Sequence, residues 1–126
     1  MSALREGAWR WAPAIIWMAL IFVLSAQPGL AITEDASVDL PVRRAAHIAA
    51  YAILTILFAR ALRAAASPTH IAAAALLAVL YGVTDELHQS TVPDRTGRPE
   101  DVLIDAMGAL VGIVVLRFGP RRLTSW

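Results

Sequence analysis

Four apolar stretches, at residues 11–25, 45–62, 71–83 and 102–118, set the limits on what this chain can fold into. Prolines, glycines and charged residues separate each from the next. A helix that crosses the hydrocarbon core of a bilayer needs about 17–25 residues. Each stretch approaches that length once its amphipathic flanks are counted, the third with least to spare. Hydrophobic residues fill 58% of the 126 positions, against about 45–50% in a soluble domain. The pattern predicts an all-α integral membrane protein, a single domain over 1–126 built as a bundle of four transmembrane helices. Their expected bounds are about 9–26, 42–63, 69–88 and 100–118.

The punctuation agrees. Pro28-Gly29 ends the first helix and Gly119-Pro120 stops the fourth. Pro41 suits the start of the second. Ser67 or Thr69 is placed to cap the third. Pro93, Gly97 and Pro99 make the 90–99 loop a series of turns. Arg5 and Arg10 ahead of the first stretch give it the outline of a signal peptide. However, Trp9, Trp11 and Trp17 suit an interfacial belt, and three further spans follow, so it reads as a retained span.

Arginine supplies all the positive charge. Arg5, Arg10, Arg60, Arg63, Arg117, Arg121 and Arg122 fall on one side of the predicted membrane, and Arg43, Arg44, Arg95 and Arg98 on the other. That bias puts both termini in the cytoplasm of a multi-pass inner-membrane protein. Net charge is only +1, with no basic patch interleaved with aromatics, so nucleic acid is not an expected partner. The chain has no cysteine, which excludes disulfides and thiolate metal ligands.

The polar residues are concentrated. Ser25, Gln27, Arg44, His47, Tyr51, Asp85, Glu86, His88, Gln89, Arg95, Asp101 and Asp105 all fall at one end of the four helices, the outward end on the predicted topology. Asp or Arg at the centre of a membrane helix costs roughly 2.5–3.5 kcal/mol on insertion scales. A chain this apolar does not need such groups to fold, so they mark a candidate site. Arg44, His47 and Tyr51 share one helical face, and Tyr81, Asp85 and His88 share another, with Glu86 and Gln89 on the adjoining strip. Asp101, Asp105, Gly108 and Gly112 form a third face that ends in a GxxxG pair. Two acids at the end of the third helix oppose its dipole and need compensation, from Arg44, Arg95 or a metal.

Each feature also has a plain structural reading. His47 can simply bridge to a carboxylate, Asp101 can be favourable first-turn decoration, and Arg95 can clamp the loop to Asp85, Glu86 or Asp101. Tyr51 and Tyr81 fit packing or an interfacial belt, His70 lies near the far end, and Gly108 and Gly112 fit packing within the bundle.

Five motifs, in this order and at these places relative to the spans, resemble the VanZ-like family: LSAQP at 24–28, RxxHxxxY at 44–51, DELHQ at 85–89, VPDR at 92–95 and DVLIDAMGALVG at 101–112. The resemblance covers nearly the whole chain. It departs from the family pattern at Asp94, where Gly is usual, and at Asp105, where Asn is frequent. It implies a small bacterial cell-envelope protein, related to one associated with glycopeptide (teicoplanin-type) resistance.

Two classes of function follow. In the first, Arg44, His47, Tyr51, Asp85, Glu86, His88, Gln89, Arg95, Asp101 and Asp105 line a cleft for an anionic or lipid-linked ligand, such as a cell-wall precursor or an amphiphilic glycopeptide. In the second, His47, Asp85, Glu86 and His88 serve a membrane-embedded hydrolase or transferase. HExxH is absent and DELHQ does not space two ligands at i, i+4, so no metal and no cofactor is assigned. The lipid bilayer is the one certain partner of such a chain, and the oligomeric state is left open.

Overall fold

The computed structural model describes residues 2–26, 34–63, 67–93 and 98–123. Four helices form: α1 Ser2–Ser25, α2 Ala36–Ala61, α3 Pro68–Gln89 and α4 Pro99–Phe118, with a short 3₁₀ turn at Arg121–Leu123. There is no strand among the described residues, so the expected all-α bundle is what the chain builds. α1, most of α2 and α3 are long and apolar enough to cross a membrane. α4 is 20 residues long, and Glu100, Asp101, Asp105 and Arg117 lie near its two ends and along it, so it is not among those three.

Two helix starts differ from expectation. α1 begins seven residues early, because the charged turn around Arg5 and Glu6 continues the helix beyond its apolar part. α2 begins at Ala36, not near Pro41. Asp35 is its N-cap, accepting from the Ser37 amide at 3.0 Å and the Ser37 hydroxyl at 2.6 Å. Those bonds, the hydroxyl's first, hold the Asp35 carboxyl below its ordinary 3.8. One turn on, Asp39 pairs with Arg43 at 3.1 Å. Pro41 therefore lies inside α2, where its missing N–H forgoes one bond to the Ser37 carbonyl. Ser67 takes the N-cap position of α3 but makes no side-chain cap bond. Ser90 and Thr91 close the other end of α3, their hydroxyls bonding the carbonyls of Leu87 and His88 at 2.6 and 2.7 Å.

The packing is inverted relative to a water-soluble bundle. Much of the interior is made of small and polar-tipped residues, Ala14, Tyr51, Thr55, Ala59, Ala74, Ala78 and Ala109, packed around a few large apolar ones, Leu54, Phe58 and Ile71 among them. Most of the large aliphatic side chains point outward, among them Ile15, Ile16 and Leu20 of α1 and Leu76, Leu80 and Leu87 of α3. α4 shows the same stripe at Leu103, Met107, Leu110, Val111, Val114 and Phe118. In water such an apolar surface is a liability, and in lipid it is the favoured one.

Small residues then set how closely the helices approach. A Cβ on Gly108 would lie 2.6 Å from the Ile48 carbonyl oxygen and 2.9 Å from the Tyr51 Cβ. One on Gly112 would lie 2.8 Å from the Thr55 Cβ. The GxxxG pair thus packs α4 on α2 inside the bundle. Thr55 is satisfied in the core by donating to the Tyr51 carbonyl at 2.9 Å. α1 buries few side chains and is tied on by polar bonds instead. Trp17 donates to the Ala50 carbonyl at 2.9 Å, and the Tyr81 hydroxyl donates to the Met18 carbonyl at 2.6 Å.

Candidate functional site

Helical spacing brings His47 and Tyr51 of α2, one turn apart, against Asp105 of α4. Nδ1 of His47 lies 3.0 Å from Oδ1 of Asp105. A carboxylate only accepts, so the ring nitrogen is the donor. The His47 and Tyr51 rings run nearly parallel, 5° apart with centroids 6.5 Å apart. Asp105 is buried because α3 offers a glycine opposite it. A Cβ at Gly82 would come within 3.0 Å of Asp105 Oδ2 and 3.3 Å of the Tyr51 ring.

Asp85 and Gln89, one turn apart on α3, meet α1. The Ser25 hydroxyl donates to Asp85 Oδ2 at 2.9 Å, and the Gln89 amide donates to the same oxygen at 3.3 Å. Ser25, Asp85, Gln89 and Asp105 are all buried. All four helices therefore contribute to one polar end. Glu86 and Asp101 are half-buried beside it, and Asp101 lies within electrostatic reach of His47 and Glu86.

Four buried atoms at this end have no hydrogen-bond partner among the described residues: the Tyr51 hydroxyl, Asp85 Oδ1, Glu86 Oε1 and His88 Nε2. Buried polar groups are hydrogen-bonded in the large majority of cases, and leaving one unpaired costs about 1–3 kcal/mol. Asp85 thus uses one oxygen to hold its place and keeps the other open. Among the described residues no arginine pairs with Asp85, Glu86, Asp101 or Asp105, so the inventory is rich in acceptors.

The sequence-predicted residues divide. His47, Tyr51, Asp85, Gln89 and Asp105 come together, with Glu86 and Asp101 at their edge. His88 turns toward α1 and stacks on Phe22, ring centroids 4.1 Å apart at 20°. Arg44 is exposed on α2. Arg95 and Gln27 lie outside the described residues. Among the described residues no three of His, Asp and Glu are placed to hold a metal ion. Sequence reasoning missed Gly82, although Ala74, Ala78 and Gly82 recur every four residues in the run that ends at Asp85. That small-residue stripe was the available signal.

Comparison with known proteins gives the same family that the motifs resemble. The VanZ/LLP1 family model matches residues 10–119, and the chain belongs to that family. No curated protein and no solved structure matches it.

Proposed function

We propose that this VanZ/LLP1 protein is a multi-pass protein of the bacterial inner membrane, both termini in the cytoplasm, whose polar end receives the head of a lipid-linked or amphiphilic cell-envelope ligand. The outward-turned aliphatic stripe on α4 supports a fourth span alongside the three apolar helices. The unequal split of arginines between the two ends supports the orientation.

The observation that carries the reading is the group of unpartnered buried atoms around Asp85. Asp85 Oδ1 and Glu86 Oε1 accept, while Tyr51 and His88 can donate. Such a set fits a donor-rich group, such as the hydroxyls of a sugar. Arg44 at the rim, and Arg95 from the loop, supply guanidinium groups for a phosphate or carboxylate on the same ligand. A lipid-linked cell-wall precursor carries both parts. An amphiphilic glycopeptide carries sugars and a lipid tail, which connects the pocket to teicoplanin-type resistance. The test is native mass spectrometry of protein purified in mild detergent from a bacterial membrane, together with teicoplanin susceptibility of the host. Wild type is expected to retain a glycan-bearing lipid and to shift susceptibility, and Glu86→Gln to weaken both. Bulk phospholipid alone on wild type, with susceptibility unmoved, overturns the reading.

The His47–Asp105 pair favours a second reading, a hydrolase or transferase acting on a lipid or cell-wall precursor. A buried carboxylate on Nδ1 orients the imidazole and leaves Nε2 as the nitrogen for proton transfer. Turnover of a lipid-linked precursor that disappears in His47→Gln, with ligand retention kept, selects this reading. Retention without turnover in wild type rejects it.

A further inference from the structure

The opposite end of the bundle carries a groove of about 480 Å3 where the start of α1 meets the end of α2. Ser2, Arg5, Glu6, Trp9, Arg10 and Arg63 line it. Three guanidinium groups face one carboxylate. Glu6 and Arg63 approach to 3.8 Å with both side chains largely exposed, a weak pair that rearranges easily. Arg10 is more committed. One of its terminal nitrogens donates to the Ala61 carbonyl at the end of α2. Its Nε is buried with no partner among the described residues.

Arg63 adds an independent sign. It follows the C-cap of α2 with φ at 50°, a left-handed conformation that glycine adopts without penalty. Its amide donates to the Arg60 carbonyl at 3.0 Å. Backbone strain of this kind tends to persist where a side chain has a task, and here it brings an arginine to the groove.

We infer that this groove binds the phosphate of an anionic phospholipid headgroup. Guanidinium forks match phosphate oxygens two at a time, and basic pockets between membrane helices take such headgroups. Trp9 and Leu4 are exposed apolar groups on the same helix. A lipid therefore gains burial along α1 that inorganic phosphate cannot. The inference stands apart from the ligand pocket proposed above, since it uses neither its residues nor its end of the bundle.

The test is native mass spectrometry of the full chain in detergent with equal phosphatidylglycerol and phosphatidylcholine. Wild type is expected to retain phosphatidylglycerol preferentially, even against millimolar inorganic phosphate. The double variant R5Q/R63G is expected to lose roughly 30-fold of that preference, with Tm unchanged or raised because glycine relieves the backbone at 63. R117Q/R122Q, which removes arginines of the same end outside the groove, is expected to keep it. Arg5→Gln alone is expected to lose about fivefold, which keeps the test open if the double variant unfolds. Equal retention of the two lipids overturns the inference. So does displacement by inorganic phosphate, which makes free phosphate the ligand, or an equal loss in R117Q/R122Q, which makes the effect diffuse surface charge.

Discussion

At one end of the bundle Asp85 and Asp105 are 3% and 2% exposed and take hydrogen bonds from Ser25, Gln89 and His47. At the other end Arg63 and Glu6 sit 3.8 Å apart with side chains 61% and 65% exposed. The difference is one of solvent. A buried carboxylate cannot borrow water, so the fold must supply a donor from another helix, and its position becomes part of the structure. An exposed arginine keeps its hydration and can be exchanged with little structural consequence. The first end is therefore built for a defined geometry, the second for attracting charge.

Substitutions can break or sharpen that contrast. The largest effect on stability is expected at the close approach beneath the polar end. Gly108→Ala sets a Cβ against the Ile48 backbone, and a loss of about 1–3 kcal/mol is expected, seen as a lower Tm in detergent. Gly82→Ala should lose less, because its closest contact is the tip of the Asp105 side chain at 3.0 Å. Equal losses would mean that the polar end is packed as rigidly as the helix seam below it. Next comes Ser25→Ala, which takes one donor from a buried carboxylate. About 1–3 kcal/mol is expected, and a Tm equal to wild type would show that Asp85 is better hydrated than its burial implies. Glu6→Gln at the far end should change Tm hardly at all, since an exposed pair contributes about 0–1 kcal/mol.

The smallest effect is the pH response of the α2 cap. The Asp35 carboxyl lies below 3.8 when folded, held down by the Ser37 hydroxyl and amide. Its contribution is complete above the unfolded value and is lost as pH falls through the lower folded one. Amide exchange in the first turn of α2 should therefore quicken only at strongly acidic pH, and Asp35→Ala should abolish that step.

The chain's helices were legible because hydrophobic length is the primary signal of a membrane segment. The starts of α1 and α2 were not. Arg5, Glu6 and Asp39 interrupt the apolar pattern, yet a helix continues through charges that face water or pair along it, as Asp39 does with Arg43. At the candidate site, spacing told which residues share a face, and so grouped His47 with Tyr51. It did not tell which faces meet. The pairing of His47 with Asp105 depends on how closely α4 approaches α2 and α3, which Gly108 and Gly82 set, and that of Asp85 with Ser25 on how α1 lies against α3. His88 stacks on Phe22 of α1, a partner that spacing along α3 alone does not reveal.

The most direct test of two chemically distinct ends is to quantify co-purifying lipids for wild type, Asp85→Asn and Arg5→Gln side by side. The account predicts that Asp85→Asn, nearly isosteric and still folded, loses the glycan-bearing lipid and keeps phosphatidylglycerol, while Arg5→Gln does the reverse. Loss of both lipids in either variant, or of neither in Asp85→Asn, would contradict it.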